Sequence, residues 1–349
     1  MISLKLLLET VLILVHFVIT LTMSAVNDKI KLSKNGGEIM VEPDIRKVVV
    51  AGAGIMGAII AQSFPEYDVH TILYSNCEDD FERARQIVAN CHTALVENGA
   101  MTIEKSKAIQ EALVYTTDPE CFRGAQLVIE AIPEDIEIKK TFFEMICEIV
   151  SEDCIIASNT SAISINELAK YVTHPERFCG THYLNPAHII PLVEITRGEL
   201  TAQHTVDKLY QVFTDMGKKP VKLKKDVKGF LSNRLQFALL REATYLVESG
   251  VAEPEDIDRV LKYGNGLRYT CSGPFKIVDL GGVDVFNSVA KYLYPELSDE
   301  KIQNNLLQAL VDGGKHGISN GEGFYSYTPE SAAEEERQRD SKMIKILHS

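Results

Sequence analysis

The sequence predicts an α/β fold, a doubly wound parallel sheet followed by an all-α C-terminal domain. Three observations predict it. From Lys47 onward, short β-rich runs alternate with longer segments of helical spacing, the pattern of a parallel sheet covered by helices. A Gly-x-Gly-x-x-Gly loop, Gly52 to Gly57, separates the first strand run from the first helical pattern. After Gly229 the strand signal stops and helical patterns take over. The 349 residues suit two domains, and 45% hydrophobic residues against 24% charged ones exclude a largely disordered chain.

The elements follow in order. Strand runs stand at 47–51 (KVVVA), 69–74 (VHTILY), 127–130 (LVIE), 154–157 (CIIA) and 178–183 (FCGTHY), with 193–196 and 220–223 extending the sheet. Helical spacing fills 138–150 and 165–171 between them. The first domain is placed at 40–225 and the second, helical one at 226–328. The second opens with a long amphipathic helix over 230–249, ended by Gly250, and continues with helices at 255–263 and 299–311. Residues 329–349 are charged and read as a solvated tail.

Residues 1–39 stand apart. The run 10–23 (TVLILVHFVITLTM) is short for a membrane span of about 20 apolar residues, and Glu9 interrupts it. Ser24-Ala25 makes a poor signal-peptide cleavage site. Gly36-Gly37-Glu38 can be encoded by a ribosome-binding sequence at normal spacing before Met40, so the segment is read as a spurious or dispensable leader. A membrane anchor or signal is the alternative, and a membrane is a partner only if the leader is real. The formal charge of −13 argues against nucleic acid, which needs a basic stripe. The seven cysteines are scattered without a Cys-x-x-Cys pair, which fits buried thiols in a reducing, cytoplasmic setting and neither a disulfide framework nor a metal site.

The glycine loop carries the first functional reading. Gly52 permits a tight turn, Gly54 lets the backbone approach a pyrophosphate, and Gly57 allows close helix–strand packing, with Ile55 and Met56 in the same loop. This is a Rossmann-type dinucleotide site. An NAD site normally ends its second strand with an acid that binds the adenosine ribose, but Ser75 and Asn76 stand there. Arg83 and Arg85 lie further on and read as solvated, so NAD is the expected cofactor, with NADP not excluded. Glu130 closes a strand facing the cofactor and reads either as a neighbour of the nicotinamide or as an ordinary strand end.

A second group of residues gathers at the sheet's C-terminal edge, where ligands of such sheets bind. Ser158-Asn159-Thr160-Ser161 follows a buried strand; His182 ends another, followed by Asn185-Pro186; Glu194 opens the next. Helix capping accounts for Ser161 or Ser164 equally well. Asn233 sits early in the first helix of the second domain, where it reaches toward the cleft.

Together the segments VVVAGAGIMG, VIEAIPEDIEIKK, ASNTSAISI, HYLNPAHIIPLVEI, GFLSNRL and GEGFYSY resemble the L-3-hydroxyacyl-CoA dehydrogenase superfamily over nearly all of residues 46–328. The resemblance implies that His182 is the acid/base, that Glu194 orients it, and that Ser161 and Asn233 contact the substrate oxygen. The glycine loop, Ser75, Glu130 and Asn159 are the expected cofactor contacts. The resemblance implies a homodimer through the helical domain, with Phe237, Leu240 and Leu246 as candidate contacts or, equally, as packing within that domain. The expected reaction is NAD-dependent oxidation of the 3-hydroxyl of a short-chain 3-hydroxyacyl-CoA.

Departures from the acyl-CoA pattern keep a second reading open. Ile190-Pro191 replaces a Met-Lys pair, and residues 86–104 contain no Lys or Arg to meet CoA phosphates. The segments Gly266-Leu267-Arg268-Tyr269 and Gly273-Pro274 resemble the lambda-crystallin/L-gulonate 3-dehydrogenase branch and carnitine dehydrogenases. That favours a free hydroxy-carboxylate, with Asn185 and Arg268 as candidate substrate contacts. A crystallin-like structural protein that binds cofactor without turnover is the third reading.

Overall fold

The computed structural model describes residues 45–348, so residues 1–39 and the expectations placed on them lie outside it. One eight-stranded sheet organises the first domain, in the order β3-β2-β1-β4-β5-β6-β7-β8. Its first strand, β1 (Lys47–Ala51), pairs in parallel with β2 (His70–Tyr74) on one side and β4 (Leu127–Glu130) on the other. The strand order therefore reverses at β1, and the glycine loop leaves β1 into α1 (Ile55–Ala61) at that switch point. β3 (Val114–Thr116) is an edge strand of three residues, too short to stand out in the sequence.

β5 (Ile155–Ser158) and β6 (Phe178–Tyr183) continue the parallel sheet. The expectation of a wholly parallel sheet fails at β7 (Leu192–Thr196), which pairs antiparallel with β6. The chain between them is short and turns back directly, without a crossover helix, so the direction must reverse. That reversal sets His182 opposite Glu194 in register. β8 (Lys219–Leu223) closes the sheet, parallel to β7.

Helices cover both faces of the sheet, and each face has its own apolar core. One contains Val48, Val50, Leu73, Ile129 and Phe213, the other Val49, Ile72, Val128, Phe143 and Phe178. Successive residues of β1 and β4 thus point to opposite cores, as alternating strand side chains must. The helices include α2 (Asp80–Glu97), α3 (Ile103–Ala112), α4 (Ile136–Cys147), α5 (Ile165–Leu168) and α6 (Gln203–Asp215). Asp135 caps α4 by accepting from Glu137 N and Ile138 N, which places the following amphipathic face on the sheet.

The second domain is helical: α7 (Ser232–Glu248), α8 (Pro254–Val260), α9 (Gly266–Cys271), α10 (Pro274–Gly281), α11 (Val283–Leu293) and α12 (Asn305–Asp312). One π turn at Leu261–Asn265 joins α8 to α9. The helix expected over 299–311 begins only at Asn305, because the Asn304 side chain accepts from Leu307 N and fixes the N-cap there.

The expected solvated tail is instead α13 (Pro329–Leu347), started by a capping box between Thr328 and Ser331. It packs back on α2: Ser341 Oγ donates to Asn98 Oδ1 at 2.6 Å, and Ile344 is buried. Most of its charges line the outward side, Asp340 being largely covered, and one apolar residue per few turns suffices to dock it. Among the described residues no helix is long and apolar enough to cross a membrane.

Candidate active site

The glycine loop opens a cleft of about 990 Å³ at the switch point. Gly52, with φ of +109°, lies where a Cβ would fall 2.4 Å from Ala131 O, so only glycine fits. A Cβ on Gly57 would fall 1.7 Å from Gly52 O, which explains the tight approach of α1 to the loop. Gly54 faces open space, with no atom within 4 Å of its missing Cβ. Open space at the middle glycine is where a pyrophosphate would pass, so the loop fits a dinucleotide. Ile55 and Met56 line the cleft near the loop, and Ile132, Ile138, Phe142 and Met145 give it an apolar wall suited to a flat adenine.

At the tip of β2, Ser75 is buried and lines the same cleft. Arg83, read from sequence as simply solvated, is exposed but also lines the cleft, whereas Arg85 lies over the Tyr115 ring at 4.5 Å.

Glu130 is not where the cofactor reading put it. It is fully buried, and its carboxylate is consumed inside the fold: Lys139 Nζ donates at 2.5 Å, Ser158 Oγ at 2.5 Å and Ile132 N at 2.9 Å. Burial pushes its pKa up, against the pull of Lys139 and the other donors. Asn159 likewise turns inward, its Oδ1 accepting from Tyr183 N at 2.9 Å, which ties the tip of β5 to the tip of β6.

The four residues that the resemblance implies as catalytic lie together. His182 is 5% exposed, and its Nδ1 lies 2.8 Å from Glu194 Oε2. A carboxylate only accepts, so Nδ1 carries the proton and the Nε2 lone pair is left facing Ser161 Oγ at 3.1 Å. Glu194 is fully buried, yet every lone pair direction is used: Leu231 N and Ser232 N donate to Oε1 at 2.9 Å each, and Ser232 Oγ donates to Oε2 at 2.5 Å. Burial opposes its ionisation, but the bonds from His182, Ser232 and the backbone hold its carboxyl below the usual glutamate value. Asn233 Nδ2 reaches Ser161 O at 3.5 Å, so the second domain touches the serine loop through its first helix.

Three participants escaped the sequence reading. Glu134 accepts Ser161 N at 3.0 Å, Ala162 N at 2.9 Å and Thr160 Oγ1 at 2.5 Å, holding the serine loop in place. Lys139 pairs with Glu134 at 3.2 Å as well as with Glu130. Both lie in the quoted VIEAIPEDIEIKK segment, but nothing local says that they fold onto the serine loop. Phe230 holds a left-handed φ of +49° after Gly229, is buried, and stacks its ring 5.3 Å from the His182 ring. A bulky residue in that region is strained. It is held because the turn delivers Leu231 N and Ser232 N to Glu194.

Two substrate candidates are not brought to this group. Asn185 is exposed and precedes a cis bond to Pro186. Arg268 is exposed on α9, its guanidinium bonded to Asn265 Oδ1 at 2.6 Å within the same helical stretch. Among the described residues no cluster of His, Cys, Asp and Glu suits a metal ion.

Comparison with known proteins agrees with this geometry. Residues 47–227 match the 3-hydroxyacyl-CoA dehydrogenase NAD binding domain, and residues 229–327 match the C-terminal domain of the same family. The chain is 36% identical over 303 residues to 5-formyl-3-hydroxy-2-methylpyridine 4-carboxylate 5-dehydrogenase of Mesorhizobium japonicum, covering 86% of this chain and 97% of the relative. It is 34% identical to a probable 3-hydroxybutyryl-CoA dehydrogenase of Deinococcus radiodurans, over 80% of this chain and 100% of the relative. The crystal structure of a 5-formyl-3-hydroxy-2-methylpyridine 4-carboxylic acid 5-dehydrogenase, an NAD+-dependent dismutase, superposes with a TM-score of 0.81 at 35% identity, over 87% of this chain and 97% of that one. The (S)-3-hydroxybutyryl-CoA dehydrogenase of Ralstonia eutropha gives 0.67 at 30% identity, over 82% and 100%. These matches support the superfamily and give no specific support to the lambda-crystallin/L-gulonate branch. With a dinucleotide cleft at the strand switch and a His182–Glu194 pair at the sheet edge, the chain belongs to the 3-hydroxyacyl-CoA dehydrogenase family and is an NAD(P)-dependent oxidoreductase.

Proposed function

We propose that this enzyme acts on a free hydroxy-carboxylate rather than on a CoA thioester, interconverting its alcohol with the carbonyl. The observation that carries the reading is the degree of likeness. The relative whose named substrate is a ring carboxylate superposes at 0.81, against 0.67 for the 3-hydroxybutyryl-CoA enzyme. The surface supports it. The lysines nearest the stretch 86–104 stand beside acids, Lys105 with Glu66 at 2.5 Å and Lys107 with Glu111 at 3.8 Å, which lowers the local positive charge available to a nucleotide phosphate. The acyl-CoA reading rests on the shared motifs around His182, which do not distinguish the two substrate classes.

The chemistry follows from the site. Bound NAD supplies the hydride acceptor. His182 Nε2 takes the hydroxyl proton as the alcohol is oxidised, and Glu194 stabilises the imidazolium that results. Ser161 Oγ, beside Nε2, donates to the oxygen as it becomes a carbonyl, and Asn233 steadies that loop from the second domain. In the reverse direction the same imidazolium returns the proton.

The discriminating experiment follows NADH absorbance with the chain expressed from Met40. Oxidation of free acids (3-hydroxybutyrate, L-gulonate, carnitine, a pyridine carboxylate bearing a hydroxymethyl group) is expected, with 3-hydroxybutyryl-CoA turned over at least about tenfold less efficiently. That tenfold corresponds to about 1.4 kcal/mol of transition-state binding. Efficient turnover of the thioester alone would return the acyl-CoA reading.

The helical domain supports a homodimer. Phe275 is 86% exposed, Ile302 83% and Leu280 72%, and Phe237 on α7 is exposed too, whereas Leu240 and Leu246 are half-buried within the domain. Apolar exposure on this scale marks an interaction surface. Sedimentation at micromolar concentration is expected to give the mass of two chains; a monomer there would refute it.

A further inference from the structure

The tip of β2 lacks the acid that normally binds the adenosine ribose, since Ser75 and Asn76 stand there. The fold brings a carboxylate to the same cleft from another place. Asp80 is the first residue of α2, five positions after Ser75, and both side chains line the cleft that begins at the glycine loop. Ser75 is only 4% exposed, so its hydroxyl serves local groups: Oγ donates to Asp80 Oδ2 at 2.6 Å and accepts from Cys77 N at 3.3 Å. The carboxylate is therefore held by a buried hydroxyl, on a residue fixed in the first turn of the helix. Its other oxygen, Oδ1, accepts no hydrogen bond among the described residues.

A cation stands next to it. Arg83 lines the same cleft, one turn along α2 from Asp80, and makes no ion pair among the described residues. The two charges favour opposite cofactors. A carboxylate accepts from the two ribose hydroxyls of NAD and repels the 2′-phosphate of NADP, whereas a guanidinium attracts that phosphate. Anchoring decides between them. Asp80 is held in place by Ser75, while Arg83 is exposed on a flexible stem and would lose side-chain entropy on ordering.

We propose that Asp80, oriented by Ser75, replaces the missing strand-end acid: it binds the adenosine ribose and makes the enzyme prefer NAD over NADP. The serine at the strand tip is then a positioning residue that hands the ribose contact to the first turn of the helix. Arg83 is the residue through which the preference can be reversed once the carboxylate charge is gone.

The test reads binding directly, by nicotinamide fluorescence and calorimetry with NADH and NADPH and no substrate present. It is thus independent of the substrate proposed above. The wild-type chain is expected to bind NADH at least about tenfold more tightly than NADPH, the worth of one hydrogen bond to a charged group. Asp80→Ala should weaken NADH by about 10- to 100-fold. Asp80→Asn should collapse the NADH/NADPH ratio, chiefly by tightening NADPH, and adding Arg83→Ala to it should remove that gain. Ser75→Ala should weaken NADH by less than Asp80→Ala, because the helix start still presents the carboxylate. Asp80 is exposed and Ser75→Ala only shortens a side chain, so these variants are expected to fold, with a single cooperative melting transition as the check. An unchanged ratio in Asp80→Asn, or tighter NADPH than NADH in the wild type, would overturn the proposal.

Discussion

Replacing His182 with alanine is expected to lower kcat by about 10²- to 10⁴-fold, the usual worth of a positioned general base. The site makes this the largest single kinetic loss. His182 is the one group with a lone pair directed at Ser161 Oγ and a proton fixed on its other nitrogen by Glu194. NADH binding should survive, because the dinucleotide cleft is lined by the glycine loop, the tip of β2 and α4, and not by His182. A companion substitution separates base from orientation. In Glu194→Gln the amide can donate to Nδ1, which moves the proton to Nε2 and removes the lone pair while the shape is kept. A wrong tautomer lowers kcat by about 10⁴-fold in the serine protease triad. Stopped-flow hydride transfer in the two variants is the measurement. Wild-type-like rates in His182→Ala would remove His182 from the proton-transfer role.

The largest loss of stability is expected at Lys139. Its ammonium is buried between Glu130 at 2.5 Å and Glu134 at 3.2 Å, and Lys139→Met would strand the fully buried Glu130 carboxylate without a counter-ion. Breaking a buried pair from one side costs about 3–5 kcal/mol, because the remaining charge is left in an apolar interior. Urea unfolding at pH 7 measures it. The double variant Glu130→Gln/Lys139→Met should recover most of the loss, since no charge is then buried there, the glutamine oxygen still accepts from Ile132 N, and its amide can donate to a rotated Ser158 hydroxyl. A loss below about 1 kcal/mol in Lys139→Met would mean that the ion pair contributes no more than a surface one. Recovery would assign the effect to the charge, and its absence to packing.

What the sequence revealed, and what it did not, divides by the range over which the physics acts. The glycine loop, the strand tips carrying Ser161 and His182, and Glu194 on the following strand are local signals. A tight turn needs Gly52, and a strand runs out one residue past His182. Those were legible, whereas the antiparallel return that sets Glu194 opposite His182 was not, because the strand run alone does not show its direction. Glu130 was misplaced because a strand-end acid looks the same whether it faces solvent, cofactor or a lysine nine residues on. The Asp80 carboxylate, the Phe230 turn and the Glu134 clasp depend on segments meeting in space, and composition carries no trace of that. α13 was missed for a related reason: its sequence is charged almost throughout, and the few residues that dock it, such as Ile344, do not make an obvious stripe.

That last helix changes what counts as one unit of this protein. α13 follows the helical domain in the sequence yet rests on α2 of the sheet domain, where Ile344 is covered and Ser341 bonds Asn98. The nucleotide-binding half is therefore assembled from two stretches of chain separated by roughly a hundred residues, with the other half threaded between them. Evolution or an engineer exchanging the helical half for another must keep both junctions, as with any insert carried inside a host. Cutting the gene once, after the eighth strand, would yield a first half missing part of its own outer layer.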